Sequence, residues 1–320
     1  MEENDMARRS HKKTSGGKKV LRIVLIVLLI LVLAIVGAVT KLYFDVSGSV
    51  DRTYESVDRD NGRDVNFSDE EPFSVLLLGI DTGDLGRTEQ GRTEQGRSDT
   101  MMVATVDPQE NKSTLVSIPR DTYVDIVGHD TQDKINHAYA FGGAPMSMDT
   151  VSEFLDIPID HYVSINMEGI KELVDAVDGV DVNNDLAFEQ DGHTYNFGKI
   201  HMNGEEALGY LRMRHEDPEG DYGRQKRQRK VVEAVIDKSL SLSGATQYRS
   251  ILDAMEDNMK TDLSFGDMRS IALDYRGAFS NIDQLQLQGE GFNQDGVSYQ
   301  RVDENELKEV QDNLQEQLDQ

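Results

Sequence analysis

The sequence predicts an α/β fold: a single extracytoplasmic domain with a central mixed β-sheet flanked by helices, preceded by one transmembrane helix. Three observations lead to this prediction. A 17-residue apolar run lies near the N-terminus. Further along, short apolar runs typical of buried strands alternate with segments whose apolar residues recur at helical spacing. Such alternation is typical of a sheet covered by helices.

The N-terminal apolar run occupies residues 23–39 and nearly matches the thickness of a bilayer core. Residues 1–40 hold seven Lys and Arg but three Asp and Glu, and most of the bases precede the run. The positive-inside rule therefore predicts a cytoplasmic tail (1–19), a single-pass anchor in the cell membrane (20–40) and an extracytoplasmic remainder. A cleaved signal peptide is the alternative. It is disfavoured because the run is long and no clear Ala-x-Ala site follows.

The charge balance outside the membrane is strongly acidic. After residue 40 the chain has 26 basic and 56 acidic residues, a net charge of −30. Such a domain repels DNA and anionic lipid surfaces, so we expect no nucleic-acid partner. The absence of cysteine excludes disulfides and thiol catalysis. A domain of about 250 residues can still bury a full core.

The predicted organisation is a stalk at residues 41–70, a core at 71–240 and a C-terminal part of the same domain at 241–320. Strands are predicted at residues 73–80, 101–106, 113–118, 162–165, 180–182, 284–288 and 297–302. Helices are predicted at residues 145–155, 167–177, 205–211, 225–242, 247–259, 265–279 and 305–318. A tandem repeat covers 86–90 and 91–95, with a variant at 96–100. It is interpreted as an exposed loop of neutral length variation.

Charged residues are predicted to meet at one edge of the sheet. Asp81 follows the first strand and Asp99 precedes the second, so antiparallel pairing brings both carboxylates to the same edge. The following hairpin returns the chain to that edge at Arg120 and Asp121. Two carboxylates beside a substrate anion are a typical Mg²⁺ site, which predicts a metal bound by Asp81 and Asp99. The alternative is that each carboxylate only caps a loop.

A second set of anion-binding side chains falls within seventeen residues: Arg212, Arg214, Arg224, Arg227 and Gln228. Arg212 and Arg214 share a face if their segment is extended. The other three lie at helical spacing, and their stripe continues through Val231, Val232 and Val235. Because guanidinium groups match phosphate oxygens bidentately, this pattern predicts a ligand with a pyrophosphate head and an apolar tail. An ordinary surface helix with a core stripe is the alternative.

Lys134 and His137, in the segment 134–143, could add a cation and a polar group to this site. His137 alone is more typical of a structural histidine. The sequence contains no Gly-x-Ser-x-Gly elbow, no phosphate-binding P-loop and no His-Glu-x-x-His motif, which disfavours those hydrolase classes.

Together these segments resemble the LytR-CpsA-Psr family of bacterial cell-wall enzymes. The matching stretches are residues 76–81, 96–102, 116–121, 134–143, 165–169, 177–182, 211–214 and 221–228. The resemblance covers about residues 71–240, and residues 246–320 match the family's signatures poorly.

The resemblance implies a membrane-anchored, Mg²⁺-dependent phosphotransferase. Such enzymes move an anionic glycopolymer, such as wall teichoic acid or capsule, from undecaprenyl pyrophosphate to peptidoglycan. The family's functional positions match Asp81, Asp99, Arg120, Arg212, Arg214, Arg224 and Gln228, and less closely Arg97, Lys134 and Arg227. Its apolar tunnel for the prenyl tail corresponds to the valine stripe. The repeat lengthens the loop before Asp99, which departs from the family pattern.

In this interpretation Arg120 stabilises the pyrophosphate and Asp121 acts as the general base. Two alternatives stay open. A polyprenyl pyrophosphate pyrophosphatase would share these residues and differ only in using water as the acceptor. An envelope-linked transcriptional regulator is disfavoured by the acidic charge and by the lack of a helix-turn-helix.

Overall fold

The first apolar run after the stalk forms the centre of the main sheet. The computed structural model describes residues 52–59, 62–81, 96–239, 241, 250–251, 253–256 and 258–319. The strands are β1 (Phe73–Asp81), β2 (Arg97–Asp107), β3 (Lys112–Ser117), β4 (Tyr123–Ile126), β5 (Thr131–Lys134), β6 (His161–Asn166), β7 (Val180–Asn184), β8 (Phe188–Gln190), β9 (His193–Tyr195), β10 (Gly198–Met202), β11 (Met259–Thr261), β12 (Ile282–Gln286), β13 (Gly289–Gln294) and β14 (Val297–Val302). The helices are α1 (His137–Leu155), α2 (Met167–Ala176), α3 (Gly204–Arg212), α4 (Asp221–Ser239), α5 (Phe265–Asp274) and α6 (Glu304–Leu318).

The main sheet has six strands in the order β11-β6-β1-β2-β3-β12. β1 pairs antiparallel with β2 and parallel with β6, so the sheet is mixed. β2 and β3 form the predicted hairpin. The outer strand β12 runs parallel to β3. The remaining strands form two-stranded pairs: β4–β5, β7–β10, β8–β9 and β13–β14.

The helix boundaries follow local chemistry. α3 begins with a capping box, in which the Asn203 side chain accepts from the backbone of Glu206 and the Glu206 side chain accepts in return. α6 is capped at its N-terminus by Asp303, whose carboxylate accepts two backbone N–H groups. α1 is kinked at Gly142 and Gly143, where φ reaches 67° at Gly143, a value that favours glycine.

The apolar side chains form three clusters. The largest packs α1 and α6 against the sheet around Leu76, Val103 and Met148. A second lies among α2, α3, α4 and β7, and includes Tyr210 and Val231. A third surrounds the N-terminal end of β1. The main sheet contributes to the first and third clusters, and α1 and α6 cover one of its faces.

The structure corrects several predicted boundaries. α4 begins at residue 221 rather than 225. The helix predicted at 247–259 must end before β11, which starts at Met259. The helix predicted at 265–279 ends at Asp274. The helix predicted at 145–155 agrees with the part of α1 that follows the kink at Gly142 and Gly143, whereas the short part that starts at His137 was not predicted.

Among the described residues, none of the helices is both long enough and apolar enough to cross a bilayer. The predicted transmembrane segment and both copies of the repeat at 86–95 lie outside the described residues.

Candidate active site

A β-bulge at the end of β1 places the first site residue. Gly79 pairs with Thr100 and Ile80 pairs with Ser98, so Asp99 is an extra residue without a partner on β1. A bulge redirects the side chain that it carries. Gly79 is required at this point, because a Cβ there would lie 2.8 Å from the Cβ of Thr100. Asp81, the last residue of β1, lies opposite Arg97 in the same register.

The turn after β3 brings Arg120 to Asp99. Thr122 closes this turn by donating its backbone N–H to the carbonyl of Pro119 at 3.0 Å. The Nη1 of Arg120 donates to Oδ1 of Asp99 in a short ion pair. Lys134, at the end of β5, donates from Nζ to Oδ1 of Asp121 at 2.7 Å. The convergence predicted for Asp99, Arg120 and Asp121 is therefore present.

The first turn of α4 supplies the opposite side of the site. The Nη2 of Arg224 lies 2.5 Å from Oδ1 of Asp221, and the Nε of Arg214 lies 3.8 Å from the same oxygen. We call the combined set the charged cluster; it consists of Asp99, Arg120, Asp121, Lys134, Arg214, Asp221 and Arg224. Its side chains come from β2, the turn after β3, β5, the segment between α3 and α4, and α4.

The pKa shifts of Arg120 and Arg224 show that the two sides of the site interact electrostatically. Burial lowers the pKa of Arg224, and the positive charges of Arg120 and Arg214 lower it further, against the opposing effect of Asp221. For Arg120, burial acts to lower the pKa, but the carboxylates of Asp99, Asp121 and Asp221 outweigh it and the pKa is raised. The two arginines therefore repel each other across a site that carboxylates neutralise.

Two guanidinium N–H groups in the cluster have no hydrogen-bond acceptor. The Nε atoms of Arg120 and Arg224 are both buried and unpartnered among the described residues. A buried donor without an acceptor is costly, and an anion with several oxygens would satisfy both. The charged cluster is thus organised to receive a polyanionic group.

Other predicted anion-binding residues are less directly placed. Arg212 ends α3, so the segment at 211–212 is helical rather than extended; even so, Arg212 and Arg214 are exposed while Leu211 and Met213 are buried. Arg97 is exposed at the start of β2. The side chain of Gln228 is buried on α4, one turn beyond Arg224.

Arg227 has a different environment from the one predicted. It is buried and pairs with Asp217 at 2.5 Å. Its Nε donates to the carbonyl of Tyr210 at 3.1 Å, and its Nη2 donates to the carbonyl of Met213. The donors of Arg227 are thus used within the chain. They fix residues 210–217, which lead into Arg214, and we assign Arg227 a structural rather than a pyrophosphate-binding task.

A cavity of about 260 Å³ lies beside Arg227, not at the charged cluster. Its lining includes Asp217, Lys226 and Lys230. Both lysines already pair with Asp185, at 2.9 and 2.6 Å. The charged cluster has buried N–H donors without an acceptor, on Arg120 and Arg224, which makes the cluster a better candidate than this cavity for binding an anion.

The valine stripe after Gln228 lies in or near apolar packing. Val231 is buried in the second cluster, and Val235 packs against it. Val232 is half-buried. These positions agree with an apolar face on α4, which the sequence predicted, and a prenyl tunnel along it stays a prediction.

The sequence analysis missed two residues of α4. Asp221 was not among the predicted site residues, although its spacing of three residues from Arg224 is a signal for an ion pair. Arg229 is buried and contacts only neutral groups: it donates to Ser117 Oγ at 2.7 Å and to Gln286 Oε1 at 3.1 Å. Burial lowers the pKa of Arg229 to about 10. It attaches α4 to the ends of β3 and β12.

His137 has a local role. Its Nδ1 lies 2.8 Å from Oδ2 of Asp133, four residues earlier in β5. Within the described residues no group of three or more histidine, aspartate or glutamate side chains is gathered for a metal. Mg²⁺ often takes only one or two protein carboxylates, with the rest of its shell from phosphate oxygens and water. Asp99, with one oxygen on Arg120, is compatible with such a site.

Arg227 and Arg214 offer a test of the structural assignment. We expect Arg227→Met to lower stability by about 3–5 kcal/mol, because it leaves the buried carboxylate of Asp217 unpaired. We expect Arg214→Met, at an exposed position, to change stability by less than about 0.5 kcal/mol. Thermal unfolding of both variants measures the difference. Equal melting temperatures for the two variants would contradict the assignment.

Comparison with known proteins identifies the family. The model described as the LytR_cpsA_psr family matches residues 40–316, well beyond the predicted 71–240. An Enterococcus faecalis protein named polyisoprenyl-teichoic acid–peptidoglycan teichoic acid transferase TagU is 61% identical, over 95% of this chain and 99% of that protein.

The chain covers each of the similar solved structures almost completely. One, from Enterococcus faecalis and described as a transcriptional regulator (EF0465), superposes with a TM-score of 0.71 at 53% identity, covering 80% of this chain and 91% of that one. Another, TagT bound to LI-WTA, has a TM-score of 0.66 at 32% identity, covering 83% and 97%. The chain belongs to the LytR_cpsA_psr family.

Proposed function

We propose that this protein is a phosphotransferase that attaches teichoic acid, carried on a polyprenyl pyrophosphate, to peptidoglycan. The observation that supports this most directly is the pair of buried, unpartnered Nε donors of Arg120 and Arg224 in the charged cluster. A pyrophosphate supplies the oxygens that these donors lack. The transferase named above, at 61% identity, acts on polyisoprenyl-linked teichoic acid and peptidoglycan by its name.

The reaction needs positioning and charge stabilisation more than covalent chemistry from the protein. Arg120, Arg214 and Arg224 bind the pyrophosphate oxygens. A sugar hydroxyl of peptidoglycan attacks the phosphorus that carries the glycopolymer. The new oxygen–phosphorus bond forms as the bond to the prenyl phosphate breaks, and the prenyl phosphate leaves with the bonding electrons.

Asp121 is proposed to take the proton from the attacking hydroxyl. Its Oδ1 accepts from Lys134, and Oδ2 lies 3.9 Å from Nε of Arg120, so the carboxylate sits beside the arginine that would hold the substrate. Asp99 and Asp221 have another task. They neutralise Arg120 and Arg224 before the substrate arrives, and so keep like charges close together.

Mg²⁺ is proposed as the cofactor, held by Asp81 and Asp99. The backbones of these residues lie on neighbouring strands at one sheet edge, and carboxylate oxygens are ligands that Mg²⁺ prefers. Bound Mg²⁺ would neutralise charge on the pyrophosphate oxygens. Arg97 lies opposite Asp81 in the strand register. Arg97 and Arg212 are both exposed and would add positive charge at the edge of the site.

The prenyl tail is proposed to follow α4 past Gln228 toward Val231, Val232 and Val235, where the helix face becomes apolar. A membrane carrier also agrees with a membrane location. We propose that residues 20–40 anchor the protein by a single span, with the N-terminus cytoplasmic and the charged cluster outside.

Transfer is favoured over the two alternatives. Hydrolysis by water would use the same residues, but relatives of this length are named as transferases. Regulation by DNA contact is disfavoured because the net charge after residue 40 is −30. A transfer assay with lipid-linked teichoic acid and peptidoglycan, followed by mass analysis of the linkage, separates all three.

Arg120 tests the pyrophosphate site. A charge-assisted hydrogen bond to a buried phosphate contributes about 1.5–3 kcal/mol, or roughly ten- to a hundredfold in rate. We expect Arg120→Ala, or Arg212→Ala combined with Arg214→Ala, to slow transfer at least tenfold. Arg120→Lys should recover only part of the loss, because an ammonium lacks the bidentate fork. Parental rates in the double variant would place the pyrophosphate elsewhere.

Substitutions of Asp99 and Asp81 test the proposed Mg²⁺ site. We expect Asp99→Asn and Asp81→Asn each to reduce Mg²⁺-dependent transfer by about a hundredfold and to raise the Mg²⁺ concentration that gives half the maximal rate, since each removes a ligand charge. Titration of Mg²⁺ in the transfer assay measures this. An unchanged Mg²⁺ requirement in both variants would rule out this metal site. Asp181→Asn, at an exposed ion pair with His201 outside the charged cluster, is the matched control.

Protease protection tests the orientation. Protease added to intact protoplasts should digest the chain beyond about residue 45, because the basic residues precede the apolar run and stay inside. Immunoblotting for the C-terminal region measures the loss. Survival of this region until the protoplasts are lysed would contradict an external domain.

A further inference from the structure

The C-terminal hairpin, β13–β14 at residues 289–302, contacts both sides of the charged cluster. It is a two-stranded antiparallel sheet of its own, from Gly289 paired with Val302 to Gln294 paired with Val297. Most of its residues are at least half-exposed. Its apolar side chains are few: Phe292 and Tyr299 pack on one side, and Val302 joins the largest apolar cluster.

The first contact is with the side of the cluster that carries Asp121. Gln300 donates its backbone N–H to the carbonyl of Asp121 at 2.9 Å and forms an isolated parallel bridge with Thr122. The Nζ of Lys134, which binds Asp121, lies 5.7 Å from the ring centroid of Tyr299. At this distance the ring attracts the ammonium group.

Three aromatic rings hold the hairpin against β4. The ring of Tyr123 lies 4.9 Å from that of Tyr299 and 5.5 Å from that of Phe292, both edge to face. Tyr123 pairs directly with Lys134 between β4 and β5. The rings therefore fix Tyr299 beside the lysine, in a geometry that aromatic pairs favour.

The second contact is with the first turn of α4. The hydroxyl of Tyr222 donates to the carbonyl of Gly289 at 3.0 Å and accepts from the N–H of Gly289 at 2.7 Å. Gln286 donates to the carbonyl of Tyr222 at 3.0 Å. Tyr222 follows Asp221 and lies two residues before Arg224. A Cβ at position 289 would lie 2.8 Å from the carbonyl of Arg301, so this junction requires glycine.

We propose that the C-terminal hairpin sets the separation between the two sides of the charged cluster, with Tyr222 and Tyr299 as positioning residues for phosphoryl transfer. The inference rests on the proposed function, because transfer is the reaction that the cluster would perform. Arg120 and Arg224 repel each other, so charge alone does not fix their distance. Neutral contacts through the hairpin, together with the attachment of α4 to β3 by Arg229, fix this distance. Reaction rates depend steeply on such geometry.

Tyr222→Phe tests the α4 contact in the full-length chain purified in detergent. The change removes one hydroxyl and its two hydrogen bonds to Gly289. We expect kcat for transfer to fall roughly tenfold, while KM changes by less than about twofold, because misplacement affects the transition state more than ground-state binding.

Tyr275→Phe is the matched control. Tyr275 is fully buried and donates its hydroxyl to the carbonyl of Glu71 at 2.7 Å, near the N-terminal end of β1 and therefore at the far end of that strand from Asp81. Both substitutions remove a tyrosine hydroxyl bonded to backbone. We expect similar losses of melting temperature in the two variants, and a loss of kcat only in Tyr222→Phe. Parental kcat in Tyr222→Phe, or equal losses of kcat in both, would overturn the proposal.

Substitutions of Tyr299, which is only partly buried, test the hairpin's role independently of Tyr222. Tyr299→Phe keeps the ring beside Lys134 and should retain parental kcat. Tyr299→Leu removes the ring and should lower kcat roughly two- to fivefold. Equal kcat for the two variants would overturn the role of Tyr299, even if Tyr222→Phe failed to fold.

A binding measurement separates failure of this inference from failure of the proposed function. Prenyl pyrophosphate should raise the melting temperature of the parent, of Tyr275→Phe and of Tyr222→Phe by similar amounts, because ground-state binding is expected to stay nearly unchanged. If the parent binds but transfers nothing, the proposed function fails. If the parent binds and transfers while Tyr222→Phe shows a much smaller shift, Tyr222 acts in binding and its positioning role is overturned.

Discussion

The organisation of this protein depends on holding several guanidinium groups close together before any anion binds. Arg120 and Arg224 are both largely buried, and the positive charge of Arg120 lowers the pKa of Arg224. Asp99 and Asp221 offset that repulsion, one on each side. These carboxylates leave Nε of each arginine free. The site is therefore neutral enough to fold and still has buried donors for a substrate, which is the electrostatic preorganisation that phosphoryl transfer needs.

The three arginines of α4 lie in three different environments. Successive residues are rotated by about 100°, so Arg224, Arg227 and Arg229 point in different directions. Arg224 faces the charged cluster, Arg227 binds Asp217 and the carbonyls beneath Arg214, and Arg229 binds the ends of β3 and β12. Two of the three thus fix the helix and its preceding segment, so that the third is placed accurately. A sequence motif rich in arginine does not reveal this division.

The sequence predicted the parts of the fold that have a strong local signal. The apolar run at 73–80 and the hairpin between β2 and β3 were predicted correctly, because buried central strands are continuous in hydrophobicity. The short pairs β4–β5 and β8–β9 were missed, since three or four half-exposed residues carry little periodicity. The convergence of Asp99 with Arg120 followed from the antiparallel order. The bulge that directs Asp99 did not, because it depends on one residue of register.

The contribution of the C-terminal region could not be predicted for a different reason. The contacts of Tyr222 with Gly289 and of Lys134 with Tyr299 join residues far apart in the chain, and the hairpin that makes them is mostly polar and exposed. Residues 246–320 show little of the family's motif pattern, yet the family match extends to residue 316. Motifs are found where side chains touch substrate. A segment that acts on those side chains through backbone and ring contacts can vary in sequence while its position is kept. The part of the chain that carries the motifs is therefore shorter than the part that forms the active site.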